Sequence, residues 1–139
     1  MSGPAVFGPD VYVSKRDVNG RVVAVLRGVT DQRGLALTEL RSRAVLQHAV
    51  HELMVTDEDA DLGATVNRVG LIAFFEVENS GVVLVGDTLY WGERPLGTVA
   101  GFNETHMPNH QNICLKVDRL QDGETLGLVV EDTLHFRRD

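Results

Sequence analysis

The chain has little of what would tie it to a membrane, a nucleic acid or an oxidising compartment. It has one cysteine, Cys114, so no intrachain disulfide can form. No apolar run approaches the roughly 20 residues that span a bilayer. The first ten residues, MSGPAVFGPD, lack a basic start and a long apolar stretch, so they do not read as a signal peptide. The 13 basic residues are scattered against 20 acidic ones, and the net charge of −7 disfavours a phosphate backbone as partner. No P-loop or G-x-G-x-x-G follows any apolar run, so the 14 glycines read as turn punctuation. These absences lead to the expectation of a cytoplasmic protein that binds neither nucleic acid nor membrane.

What is present fits one ordinary globular domain. With 139 residues, 43% apolar and 24% charged, the chain is long enough to bury a core without staples. Residues 1–9, with two prolines and two glycines, read as a flexible arm, and 10–139 as the domain. Asn19-Gly20 is a hairpin signal, followed by a Val-rich strand from Arg21 to Val29. From Thr38 to Met54 strict alternation fails. At 100° per residue Leu46, Ala49, Val50 and Leu53 share one face, which predicts a helix over about 38–54. The acidic run 56–61 places Asp57, Asp59 and Asp61 as a calcium loop would. Leu62 and Arg68 stand where that loop needs Gly and a bidentate Glu, so it reads as a solvated loop. Beyond it, short strands alternate with Gly-rich turns, and the last is expected over Leu126–Phe136. The fold class is mainly β: a small antiparallel β-barrel of about six to eight strands with one packed α-helix.

The densest chemistry lies in Asn103–Asn112, NETHMPNHQN, with two of the five histidines, three asparagines and a proline. His106 and His110 are four apart, as in zinc-binding pairs. They are the candidate metal ligands for Zn or Fe(II), with the third ligand open among His48, His51, His135, Asp87, Glu104 and Cys114. Without a metal, His110 first and His106 second are candidate acid–base groups, because imidazole moves protons near neutral pH. Asn103, Glu104 and Asn112 would orient them or grip a ligand, and Tyr90 and Trp91 would stack on it from the same mouth. A purely structural loop, its Asn and His side chains bonded to backbone, is the competing reading. His48 and His51 read as helix-surface histidines, and Cys114 as a structural thiol.

The segment GVVLVGDTLYWGERPLGTVAGFNETHMPNHQNICLKVD, within residues 81–118, resembles the barrel segment of the glucitol/sorbitol-specific IIA component of the phosphotransferase system. The matching residues are Gly86, Asp87, Gly97, Val99, Ala100, Asn103, His110 and Ile113–Val117. The resemblance implies a closed β-barrel and a carrier role. No phospho-accepting residue is carried over from it, because no histidine lies between His51 and His106.

The reading as a whole is a small-molecule enzyme of lyase, isomerase or cyclase type, using histidine acid–base chemistry with or without a divalent metal. Its substrate would sit in the barrel mouth beneath residues 103–112. The alternative is a non-catalytic ligand-binding or carrier module related to the IIA barrel. The apolar runs Val69–Val77 and Val82–Val85 exceed what one small core needs, which predicts a homo-oligomer, a dimer first.

Overall fold

The computed structural model describes residues 11–139, and the arm expected over 1–9 lies outside the described residues. In chain order the strands are β1 (Val18–Val25), β2 (Val29–Thr30), β3 (Leu35–Ala36), β4 (Ser42–Val45), β5 (Val50–Thr56) and β6 (Thr65–Val66). They continue with β7 (Val69–Val77), β8 (Gly81–Leu84), β9 (Thr88–Trp91), β10 (Arg94–Asn103), β11 (Asn112–Lys116) and β12 (Thr133–Arg137). A short helix, α1 (Gly123–Leu126), stands before the last strand. The protein is mainly β. Its large sheet runs β1-β12-β9-β10-β11-β5-β7-β2, and β1 also pairs with β7, so the path of hydrogen-bonded neighbours returns to its start. The pairs are antiparallel except β5 with β11, which run parallel.

The helix expected over 38–54 is not formed; that stretch holds β4, a turn and β5. His48 has a left-handed backbone, φ 73°, which no helix interior accommodates. The predicted stripe is also broken, since Leu46 is 70% and Val50 41% exposed. What imitated a helical period is a strand buried on both faces. β5 lies between β11 and β7, so Leu53, Met54 and Val55 can all be apolar in succession.

The two faces of β5 and β11 serve different cores. Leu53, Val55, Ile113 and Leu115 join Phe102, Phe75, Phe136 and Ile72 in the main core. Met54 and Cys114, on the outer face, join Leu35, Leu37, Val66 and Val69 in a second cluster. The β3–β6 pair and its flanks form this cover, and Leu37 packs on Gly101, where a Cβ would lie 3.2 Å from Leu37 Cδ1. Cys114 is therefore a buried thiol, pushed up to about 12 by desolvation, which suits a structural group and not a nucleophile.

Other expectations change for local reasons. Asn19-Gly20 is inside β1, not a hairpin; Gly20 makes room for Phe75, whose Cδ2 would stand 2.7 Å from a Cβ there. The run 126–136 is a strand only from Thr133, because Asp122 caps α1 and Gly127 ends it at φ 88°. The acidic run is tied down: Asp57 forks onto Arg68 at 2.9 Å, and Glu58 accepts the Asn67 and Arg68 backbone N–H groups. Val69–Val77 is covered by β1, β2 and β5 of the same chain, which removes that run as an argument for a dimer. Finally, Lys15 reaches Asp87 in a buried ion pair, 2.8 Å from Nζ to Oδ2, pinning the segment before β1 to the β8–β9 turn.

Candidate functional site

The β10–β11 hairpin sets the site, with the loop 104–111 emerging from the paired residues Asn103 and Asn112. Register across the sheet places Asn112 opposite Asn103 on one side and Glu52 on the other, with Phe74 beyond Glu52. Residues in one register row share a face. This row lies on the outer face, because its neighbours Phe102, Ile113, Leu53 and Ala73 point into the main core. The row is polar and buried. Asn103 donates through Nδ2 to Ala36 O at 2.7 Å, and its Oδ1 accepts from Asn112 Nδ2 at 2.9 Å and from Thr105 N at 3.1 Å. Asn103 and Asn112 are thus the clamp that starts and ends the loop.

His110 returns the loop onto this row. It is 9% exposed and sits edge-on to Phe74, with ring centroids 4.9 Å apart. Its Nε2 stands 3.3 Å from Glu52 Oε1, off the axis of a good hydrogen bond, and Asn109 Nδ2 donates to its Nδ1 at 2.9 Å. With Nδ1 accepting, neutral His110 carries its proton on Nε2, beside the Glu52 carboxylate. The Nδ1 lone pair then faces outward, covered by the side chain of an exposed residue, Asn109. The His106 ring lies over His110 at 5.1 Å, tilted by 32°. The Met107–Pro108 bond between them is cis.

One residue beyond the clamp on either strand stand Glu104, exposed, and Gln111, buried. Glu104 takes Arg43 of β4 at 2.7 Å. Gln111 donates its backbone N–H to His51 Nδ1 at 3.0 Å and its Nε2 to Asn103 O at 2.9 Å, and its Oε1 has no partner. His51 therefore keeps its proton on Nε2 when neutral. Burial pushes its pKa below the ordinary value, and positive charge on His110 and Arg43 pushes it the same way. Arg43, His51, His106 and His110 thus gather at one end of a chain that is acidic overall.

The structure brings together five of the seven residues expected from sequence: His106, His110, Asn103, Glu104 and Asn112. Tyr90 and Trp91 are elsewhere. They pair with Pro95 and Arg94 at the far end of β10, where Tyr90 donates to Asp139 and Trp91 Nε1 to Asp132. His48 stands by Glu76 and His135 by Asn19, both apart from the loop. The expected metal pair, His106 and His110, is a stacked pair of rings, and among the described residues no group of three or more His, Cys, Asp or Glu is placed to hold a metal ion. Glu52 and Arg43 were missed, because the helical reading of 38–54 gave them no fixed neighbours. Reading Val50–Thr56 as a strand would have put His51 and Glu52 on opposite faces, as found.

No helix among the described residues is long and apolar enough to cross a membrane. Neither curated proteins nor solved structures give a match to the chain. A family model does match, over residues 12–137, nearly the whole length of the fold and every residue of the loop and its supports. The chain belongs to that family, DUF6917, a family of unknown function.

Proposed function

We propose that this protein is a small-molecule enzyme in which His110 transfers a proton, as a lyase, isomerase or cyclase would need. The observation that carries the reading is the buried Glu52–His110 pair, with its opposite nitrogen hydrogen-bonded to the side chain of an exposed residue, Asn109. A carboxylate beside Nε2 fixes the tautomer and stabilises the imidazolium that forms when Nδ1 takes a proton. A ligand that displaces the Asn109 amide meets Nδ1 directly. His106, stacked on the same ring and exposed, is the second candidate proton carrier. The reading uses no metal; a divalent ion bound at His106 or His110 would change the role of either nitrogen.

In this reading the ring of pairings β1-β12-β9-β10-β11-β5-β7 is a closed barrel of seven strands in a cytoplasmic protein. The substrate then lies across the barrel rim beside the loop, with the proton-transferring pair on the outer side. The alternative is a non-catalytic binding module like the sugar-transport IIA barrel. It draws on the Asn103–Asn112 clamp, which holds the loop whether or not chemistry follows.

The test is a conversion screen. Small oxo acids, hydroxy acids, sugar phosphates and amino acids are incubated with the protein and followed by proton NMR. Conversion by the wild type that His110→Gln abolishes, with the circular dichroism spectrum unchanged, is the expected result. Equal conversion by both would end the assignment of His110, and binding without conversion of any compound would favour the carrier module.

A further inference from the structure

Resting on that reading of the site, we infer that its substrate is an anion, a carboxylate or phosphate, which Arg43 holds in place of Glu104. Three observations lead there. First, Arg43 of β4 is a guanidinium paired directly with the loop, through Glu104. It is three-quarters buried, its side chain 25% exposed, and committed to a single 2.7 Å contact through Nη1. A guanidinium fork matches a carboxylate or phosphate with two parallel bonds, so one contact to an exposed partner leaves part of its capacity unused.

Second, the present occupant is easily displaced. Glu104 is 43% exposed at its side chain and belongs to the loop, and partly exposed ion pairs of this kind contribute only about 0–1 kcal/mol. Glu104 thus acts as a stand-in, keeping the arginine neutralised and ordered until a ligand carboxylate arrives.

Third, the surroundings are donors. His51 has its Nδ1 occupied by Gln111 N, so it presents Nε2–H; burial above all, then positive charge on His110 and Arg43, lowers its affinity for protons. Asn109 adds an exposed amide. Gln111 Oε1 and Asn112 Oδ1 are both buried without a partner at the loop base, and they are acceptors suited to a hydroxyl or amino hydrogen.

The experiment titrates inorganic phosphate and malonate, at constant ionic strength, into the full chain and into Arg43→Gln and Glu104→Gln. The His51 and His110 ring signals are followed by NMR, with circular dichroism confirming the fold of each. Arg43→Gln is expected to bind about tenfold more weakly, the loss of a charged hydrogen bond. Glu104→Gln is expected to bind about two- to fivefold more tightly, since a competing carboxylate is gone. The opposite signs matter, because a merely structural pair would be weakened by either change. Phosphate and malonate responding alike define a general anion site, and a response to only one names its source. The inference is overturned if Glu104→Gln binds no more tightly, if Arg43→Gln binds as the wild type does, or if neither probe moves the histidine signals. Its failure is separable from that of the catalytic reading. His110-dependent conversion of a neutral compound would leave catalysis standing without the anion. Anion binding with the expected signs, beside a His110→Gln protein that converts substrate as the wild type does, would leave the reverse.

Discussion

Two of the buried carboxylates, Asp87 and Glu52, are treated differently. Asp87 is 1% exposed; its Oδ2 accepts the backbone N–H of Leu84 at 2.9 Å and lies 2.8 Å from Lys15 Nζ in an ion pair, while its Oδ1 has no hydrogen-bond partner. Glu52, nearly as buried, faces His110 Nε2 at 3.3 Å, off the axis of a good hydrogen bond, while Arg43 of β4 is engaged by Glu104. The first arrangement satisfies a charge for the sake of the fold. The second holds a charge next to a group that can gain or lose a proton. Placement of charge inside the same sheet system is what distinguishes the Lys15–Asp87 pair from the Glu52–His110 pair to which proton transfer is proposed.

Breaking the structural pair should have the largest effect. Asp87→Ala leaves the Lys15 ammonium buried without its partner and is expected to cost about 3–5 kcal/mol, read from urea unfolding. A loss under about 1 kcal/mol would show that Lys15 swings out to water and that the pair contributes little. The loop clamp ranks next. Asn103→Ala removes three hydrogen bonds and leaves Ala36 O and Thr105 N to find others, at about 1–3 kcal/mol. The same variant should broaden the His106 and His110 ring signals, because the loop they share is no longer fixed at its base.

The chemical pair should respond in the opposite sense. Glu52→Gln keeps the shape and removes the buried charge, so stability should change by no more than about 1 kcal/mol in either direction. The His110 ring signals should nonetheless shift and any conversion should fall; a destabilisation as large as that of Asp87→Ala would place Glu52 among the structural groups. The smallest effect is set by pH. The pKa of His51 is below its ordinary value in the folded state, so the unfolded chain binds its proton first as pH falls. Stability from this residue is full above the ordinary imidazole pKa of about 6.5 and is lost as pH drops toward the lowered folded value. His51→Gln should flatten that part of the pH–stability curve, measured by thermal unfolding in steps of pH.

The β character and the loop at Asn103–Asn112 were legible in the sequence because strand–turn spacing and polar density are local signals. The register that gives them meaning was not. Met54 and Cys114 belong to a second, outer core, and a strand covered on both sides carries no alternation to read. That is why Val50–Thr56 passed for a helix and why Glu52 gained no partner. Gly20 shows the same limit from the other direction, as its reason is Phe75, fifty-five positions along, and not the turn that Asn-Gly suggests. His110, Asn103 and Asn112 could be read together because they lie in one short stretch of sequence, whereas Glu52 and Arg43 are brought to that stretch only by the fold.

The parallel pairing of β5 with β11 sets Glu52 against Asn112 and Thr56 against Lys116, strands sixty positions apart (112 − 52). Contacts of that separation are entropically late to form and slow the search for the native topology. The Glu52–His110 pair and the Arg43–Glu104 pair both span this closure, so neither exists in any partly folded chain that lacks it. An anion bound there would hold only the completed molecule, raising its resistance to unfolding by mass action. For this protein, the arrival of substrate and the security of the fold would be one and the same event.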